Sequence, residues 1–192
     1  MCSSDLCIVQ FGCDIVARAA EKILGVRSRW AQDNPEVVTR TVRALRHAAD
    51  FIEDTGNRDE VAALLTAPGR IEVAPEVIRR TFEGRINVAP GGMTRTNARY
   101  LMLGRNGAAR PDPTQAAWLY AQMVRWGQAP LSSELLAAAK AVFRPDLYDA
   151  ALVEPEPSLA GEPADHIGAF AGRAFDPNDI AAHLAAWQVR RR

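Results

Sequence analysis

Proline standing at the threshold of apolar-periodic segments constrains this chain more than any other feature. Asn34-Pro35, Asp112-Pro113 and Asp176-Pro177 each join a helix-capping residue to a proline. The fixed φ and missing N–H of proline suit the first helical position and are costly inside a helix. Each pair therefore predicts a helix start. After Pro35, Val38, Val42, Leu45, Ala49 and Ile52 recur at helical spacing, while Arg40, Arg43, Arg46, His47, Asp50 and Glu53 take the other face. That helix is expected to end before Gly56. A second, from Asn57 or Arg58, carries Val61, Leu64 and Leu65 as far as Pro68-Gly69, and a third runs from Pro75 to about Glu83.

From Asp112, the run DPTQAAWLYAQMVRWG predicts a capped helix closed by Gly127, with Ala116, Leu119, Tyr120 and Met123 as one stripe and Trp118, Gln122 and Arg125 as another. A helix capped by Ser132 or Ser133 runs to Phe143, and one opened by Pro145 carries Leu147, Tyr148 and Leu152. The last is expected over 176–187, with Ile180, Leu184 and Trp187 inward. Strand signals are short: Cys7 to Phe11, Ile23 to Val26, Ile86 to Val88 and Tyr100 to Leu103. Helices joined by small strands fit an α/β lobe whose sheet is incomplete in this chain.

Composition removes several function classes. Among 192 residues, 23 basic and 23 acidic side chains cancel, which argues against a broad footprint for nucleic acid or anionic lipid. Only Lys22 and Lys140 are lysines, so the basic residues are nearly all arginines on solvated helix faces. No stretch approaches the ~18 apolar residues of a membrane span. Cys2, Cys7 and Cys13 lack C-x-x-C spacing and a nearby histidine, so free thiols are expected and no metal site.

The first six residues, MCSSDL, fit nothing after them. The codons GTG-TGC-TCT-TCC-GAT-CT, read with GTG as the start, spell them and resemble the end of a library adapter. Residues 1–6 are therefore expected to be a non-native assembly scar, with the gene cut upstream.

No catalytic constellation emerges. APGGM and GRNGAAR bear glycines but lack a following Lys-Ser/Thr and the G-x-G-x-x-G placement, so both are expected to make turns. His47, His166 and His183 lie far apart. Ser132-Ser133 has no nucleophile elbow, and paired carboxylates sit at helix starts, where the macrodipole accounts for them. What stands out is W-x-x-x-Q-M-x-R-W-G-Q, with Trp118, Gln122, Arg125 and Trp126 on one helix. Such aromatic and arginine groups can stack on a ligand or pack in a core.

At these residues a resemblance appears. EKILGVRSRWAQDNPEVVTRTVRALRHAADFIED, QAAWLYAQMVRWGQ, AVFRPDLYDAAL and AFDPND resemble, in that order, the C-terminal half of nitrate/bicarbonate-type solute-binding proteins of ABC transporters. The resemblance implies an α/β chain that is the helix-rich portion of a two-lobed periplasmic-binding-protein-like fold, truncated at the N-terminus. It implies a second-lobe segment over 7–152, a Pro/Gly-rich linker over 153–163 and a C-terminal arm over 164–192.

The implied function is the substrate-binding component of an ABC transporter for nitrate or a similar small anion, with no enzymatic step and no cofactor. The implied partners are a small inorganic anion and an ABC permease, not nucleic acid, and the implied location is periplasmic or membrane-anchored. A relative within the same resemblance is a cytoplasmic nitrate sensor that sequesters an RNA-binding antiterminator protein, and that alternative stays open. The family places a ligand lysine shortly before its E-K-x-L-G-V motif. Here Ala17 fills the slot, and Arg18 beside it is the candidate ligand-binding residue, since an arginine fork suits a planar oxyanion. Trp118, Gln122, Arg125 and Trp126 are the family-signature residues.

Overall fold

Four helices begin at prolines, Pro35, Pro75, Pro113 and Pro145. The computed structural model describes residues 7–16, 21–152 and 175–186. The expected linker, much of the expected arm, Trp187, and the Ala17 and Arg18 positions lie outside the described residues. Within them the order is α1 (Gly12–Ile15), α2 (Ser28–Asp33), α3 (Pro35–Glu53), α4 (Arg58–Leu65), α5 (Pro75–Phe82), β1 (Arg85–Asn87), β2 (Thr94–Thr96), α6 (Pro113–Arg125), α7 (Ser133–Val142), α8 (Pro145–Ala151) and α9 (Ile180–Ala186). This is the expected helix-rich α/β arrangement.

The cap residues act less uniformly than their spacing predicts. The Asp112 carboxylate accepts the Thr114 N–H at 2.8 Å, as an N-cap should. Asn34 instead turns backwards and donates its Nδ2 to the Trp30 carbonyl at 2.9 Å, closing α2 and leaving Pro35 to start α3. Asp176-Pro177 does not open α9. The Asp176 carboxylate accepts the Asn178 N–H at 2.8 Å in a local turn, and Asp179 receives the Ala182 N–H at 3.0 Å, so the helix starts at Ile180.

Burial also corrects the expected stripes. In α3, Ala49 is buried but Leu45 is exposed, and Arg46 lies half-buried against Asp50, its Nε 2.9 Å from the carboxylate. In α6 the buried face is Ala116, Ala117, Tyr120 and Ala121, whereas Leu119 and Met123 are exposed. Small residues at the contact let the partner helix approach closely, so area alone did not select the inner face.

One antiparallel hairpin forms the sheet among the described residues, with Arg85 opposite Thr96, Ile86 opposite Arg95 and Asn87 opposite Thr94. The Ile86–Val88 signal is thus a strand through Asn87. The segments 7–11, 23–26 and 100–103 are not strands, and Thr94–Thr96 is one that the sequence reading missed. A strand exists only where a neighbour takes its N–H and C=O groups, and segment 7–11 gains one such bond, Ile8 N–H to the Val88 carbonyl at 2.7 Å. APGGM makes the expected turn, with positive φ at Gly91 and Gly92 and the Val88 N–H bonded to the Met93 carbonyl at 2.8 Å. Gly84, at φ 69°, enters the hairpin where an added Cβ would overlap the Asn97 carbonyl oxygen, so this position admits only glycine.

Candidate functional site

The signature residues of α6 point in different directions because the helix rotates them. Eight residues at 100° each set Trp118 and Trp126 about 80° apart around the axis. Trp118 is half-buried; Trp126, at the C-terminal cap, is 64% exposed. Gln122 Nε2 reaches back to the Trp118 carbonyl at 3.5 Å, at the outer limit of a hydrogen bond. Arg125 leaves its own helix, and its Nη2 lies 3.1 Å from His183 Nε2 on α9. The helix ends in a Schellman closure: Gly127 N–H bonds the Val124 carbonyl at 3.0 Å, and Gln128 N–H bonds that of Met123 at 2.8 Å.

Behind the signature sits an apolar hub. Tyr120, Ala121 and Ile180 are buried together, with Val124, Ala129, Leu136, Ala139 and Phe175 packed around them. The Tyr120 hydroxyl donates to the Pro130 carbonyl at 2.6 Å and accepts the Ser132 N–H at 3.1 Å. It thereby fixes the loop that delivers Ser132, whose Oγ caps α7 by accepting the Leu135 N–H at 3.2 Å. The signature stretch thus joins α6, α7 and α9.

A second cluster anchors the segment that leads towards residue 17. The Asp14 carboxylate accepts the Phe11 N–H at 3.0 Å, Arg95 Nη2 at 3.0 Å and Asn97 Nδ2 at 2.8 Å. Hydrogen bonding from the Phe11 amide, then the charge of Arg95, holds this carboxyl below its usual range. Arg95 also lies over the Phe11 ring, 4.6 Å from its centroid, and Phe11 meets Tyr100 edge-on at 5.1 Å. Arg18 lies outside the described residues, but the chain four residues before it is tied to the hairpin.

The third cluster has no forerunner in the sequence reading. GRNG makes a turn, with Asn106 at φ 53° and Gly107 at φ 65°, and the peptide N–H groups at its start converge on one carboxylate. Leu103, Gly104 and Arg105 donate to Glu53 at 2.7, 3.2 and 2.6 Å. Successive amides in this form make a concavity for an anion, and here the anion is the chain's own. A cavity of about 80 Å³ adjoins it, lined in part by Glu53, Thr55, Arg58, Phe82 and Arg105. Arg58 lies 3.6 Å from Glu83, and Arg105 3.7 Å from Glu53 with further bonds to the Ala98 and Leu101 carbonyls, so the lining charges are balanced internally. Nothing in the sequence pairs residue 53 with residues 103–105. The acidic end of α3 and the glycine turn were separately visible.

Among the described residues no group of three or more His, Cys, Asp or Glu could hold a metal, and no helix is long and apolar enough to cross a membrane.

The described fold is that of one portion of a periplasmic binding protein. It superposes on the periplasmic nitrate-binding protein NrtA from Synechocystis PCC 6803 with a TM-score of 0.79 at 24% identity, covering 92% of this chain and 47% of that one. Residues 7–66 match the NMT1-like family. Over 92% of its length the chain is 28% identical to the nitrate import ATP-binding protein NrtC of Synechococcus elongatus, and over 85% it is 25% identical to the nitrate/nitrite binding protein NrtA of the same organism. It spans 26% and 38% of those two relatives. The chain is thus similar to nitrate- and bicarbonate-type transport proteins along most of its length, as its motifs suggested. The stretch shared with NrtC is similar also to a nitrate-binding protein and carries no Gly-Lys-Ser/Thr phosphate loop.

Proposed function

We propose that this chain forms part of the substrate-binding component of an ABC importer for a small inorganic oxyanion of the nitrate or bicarbonate type, and that it binds without catalysing a reaction. The observation that carries this reading is the fold match to a nitrate-binding protein along nearly the whole of this chain. The helices, the hairpin and the Asp14 clamp are scaffold in this view. Arg18 is the residue of this chain proposed to reach the anion, its guanidinium offering paired N–H donors to a planar oxyanion in place of the family lysine, whose slot holds Ala17. A permease is the proposed protein partner, and the periplasmic face of the membrane the proposed location.

Binding to the native state raises stability by RT ln(1 + [L]/Kd), about 2.7 kcal/mol at a hundredfold excess over Kd. Thermal unfolding of the whole binding component, of which this chain forms part, is therefore expected to show a concentration-dependent rise with at least one of nitrate, nitrite, bicarbonate or a small sulfonate. Arg18→Ala should abolish that rise and leave the ligand-free midpoint unchanged. A flat response to every anion would overturn the reading. A stable complex with a second polypeptide that dissociates on nitrate addition would replace importer with sensor.

A further inference from the structure

The contact between Arg125 and His183 has a chemical direction. Arginine carries donors only, so a hydrogen bond at 3.1 Å from its Nη2 requires a lone pair on His183 Nε2. The imidazole is therefore neutral, with its proton on Nδ1. We propose that this pair is a proton-operated latch: neutral His183 holds α9 against α6, and protonation of the ring releases α9.

Several features of the site make one proton matter. A protonated ring would turn an N–H towards an N–H and set two positive charges a hydrogen-bond length apart. Arg125 is half-buried and its Nε is buried with no hydrogen-bond partner among the described residues, so solvent does little to screen its charge from the ring. Phe175 meets the imidazole edge-on, with centroids 5.0 Å apart. Burial first, and the Arg125 charge second, hold the ring below its ordinary value of 6.5.

Among the described residues, the other charged groups on α7 and before α9 make their bonds elsewhere. Lys140 of α7 bonds the Asn178 side chain at 3.0 Å, Glu134 accepts the Ser132 hydroxyl at 2.6 Å, and the Asp176 and Asp179 carboxylates receive backbone amides. None of these described carboxylates is bonded to the imidazole. Over its described residues, α9 is docked through Ile180 in the hub and through this pair.

The sign follows from the lowered ring. Undocked His183 binds its proton at higher pH than docked His183, so the latch is fully present above about 6.5 and is lost as pH falls through the lower docked value. Hydrogen exchange of the 180–186 amides in the full chain, corrected for intrinsic rates and compared at about pH 8 and about pH 5, reads it directly. Protection should fall about tenfold for each unit by which docking lowers the ring. His183→Gln keeps an acceptor that does not titrate, and its exchange should become independent of pH. Equal protection of the wild-type helix at both values would overturn the proposal, as would a wild-type pH response in the glutamine variant. An NMR titration of the wild-type ring needs no variant: a midpoint below 6.5 supports the latch, and one at or above it sinks it.

Discussion

Two regions of this molecule are held by different physics. Where α6, α7 and α9 meet, the contact is an apolar hub around Tyr120 and Ile180, with one phenolic hydroxyl securing the loop. Around α3, α8 and the 101–112 segment, Ala49, Tyr148 and Ala151 are buried, and long-range polar clamps tie the elements together. Glu53 collects three amides, Arg43 Nε donates to the Ala151 carbonyl at the end of α8, and Arg110 grips Asp149 with a fork of 2.8 and 2.7 Å. The hub loses little if one bond is broken, provided its volume stays filled. In the polar region each partner leaves an orphan when the other is removed. The two regions should therefore respond oppositely to size and to charge.

The largest effect should come from emptying the hub. Tyr120→Ala removes a ring that is 5% exposed together with both loop bonds, and is expected to cost about 3–5 kcal/mol in urea unfolding. Glu53→Ala should follow at roughly 2–3 kcal/mol, since three N–H groups lose a charged acceptor. If Glu53→Ala were neutral while Tyr120→Ala stayed costly, water would be replacing the carboxylate and the contrast between the regions would fail. Tyr120→Phe, which keeps the ring and strands the Ser132 amide, should cost about 1–2 kcal/mol.

These two regions were unequally legible in the sequence. The start of α6 at Pro113, its Asp112 cap and its Gly127 closure rest on residues adjacent in the chain, and local chemistry dictates them. Apolar spacing groups Tyr120 with Ala116, Leu119 and Met123, because large apolar side chains outweigh alanine in any pattern. The structure buries Ala117 and Ala121 in place of Leu119 and Met123. The polar clamps were illegible for another reason. Glu53 lies 50 residues from Leu103, Arg110 39 from Asp149 and Arg43 108 from Ala151, and an arginine or glutamate on an expected solvent face looks the same whether or not it has a partner. The Arg125–His183 pair, 58 residues apart, was hidden in the same way.

Acid should separate the clamps in order. Asp149 is held below its usual range by the Arg110 hydrogen bonds. Its contribution is complete above the unfolded value of 3.8 and disappears as pH falls through the lower folded one. Both partners are partly exposed, so the contribution is discounted to about 1 kcal/mol. Asp149→Asn should remove that acid step, and a double-mutant cycle with Arg110→Ala should return about the same coupling. The α9 latch should begin to weaken below about 6.5, and this step only below 3.8. A single acid transition in which exchange at α9 and at α8 rises together would contradict the division between regions. Salt on the order of 1 M, where the Debye length is about 3 Å, should weaken the Arg110–Asp149 coupling and leave the Tyr120→Phe cost unchanged.

The smallest effect is expected at Trp126. In the sequence it stands with Trp118, Gln122 and Arg125 as part of one motif, and a tryptophan in a motif suggests a large packing role. In the structure its side chain is 64% exposed, and the backbone of Gly127 and Gln128 closes the helix without it. Trp126→Ala should therefore shift the urea midpoint by no more than about 0.5 kcal/mol at constant m. A cost near that of Tyr120→Ala would mean that the ring is covered in solution, and would move Trp126 from the surface of the hub into its core.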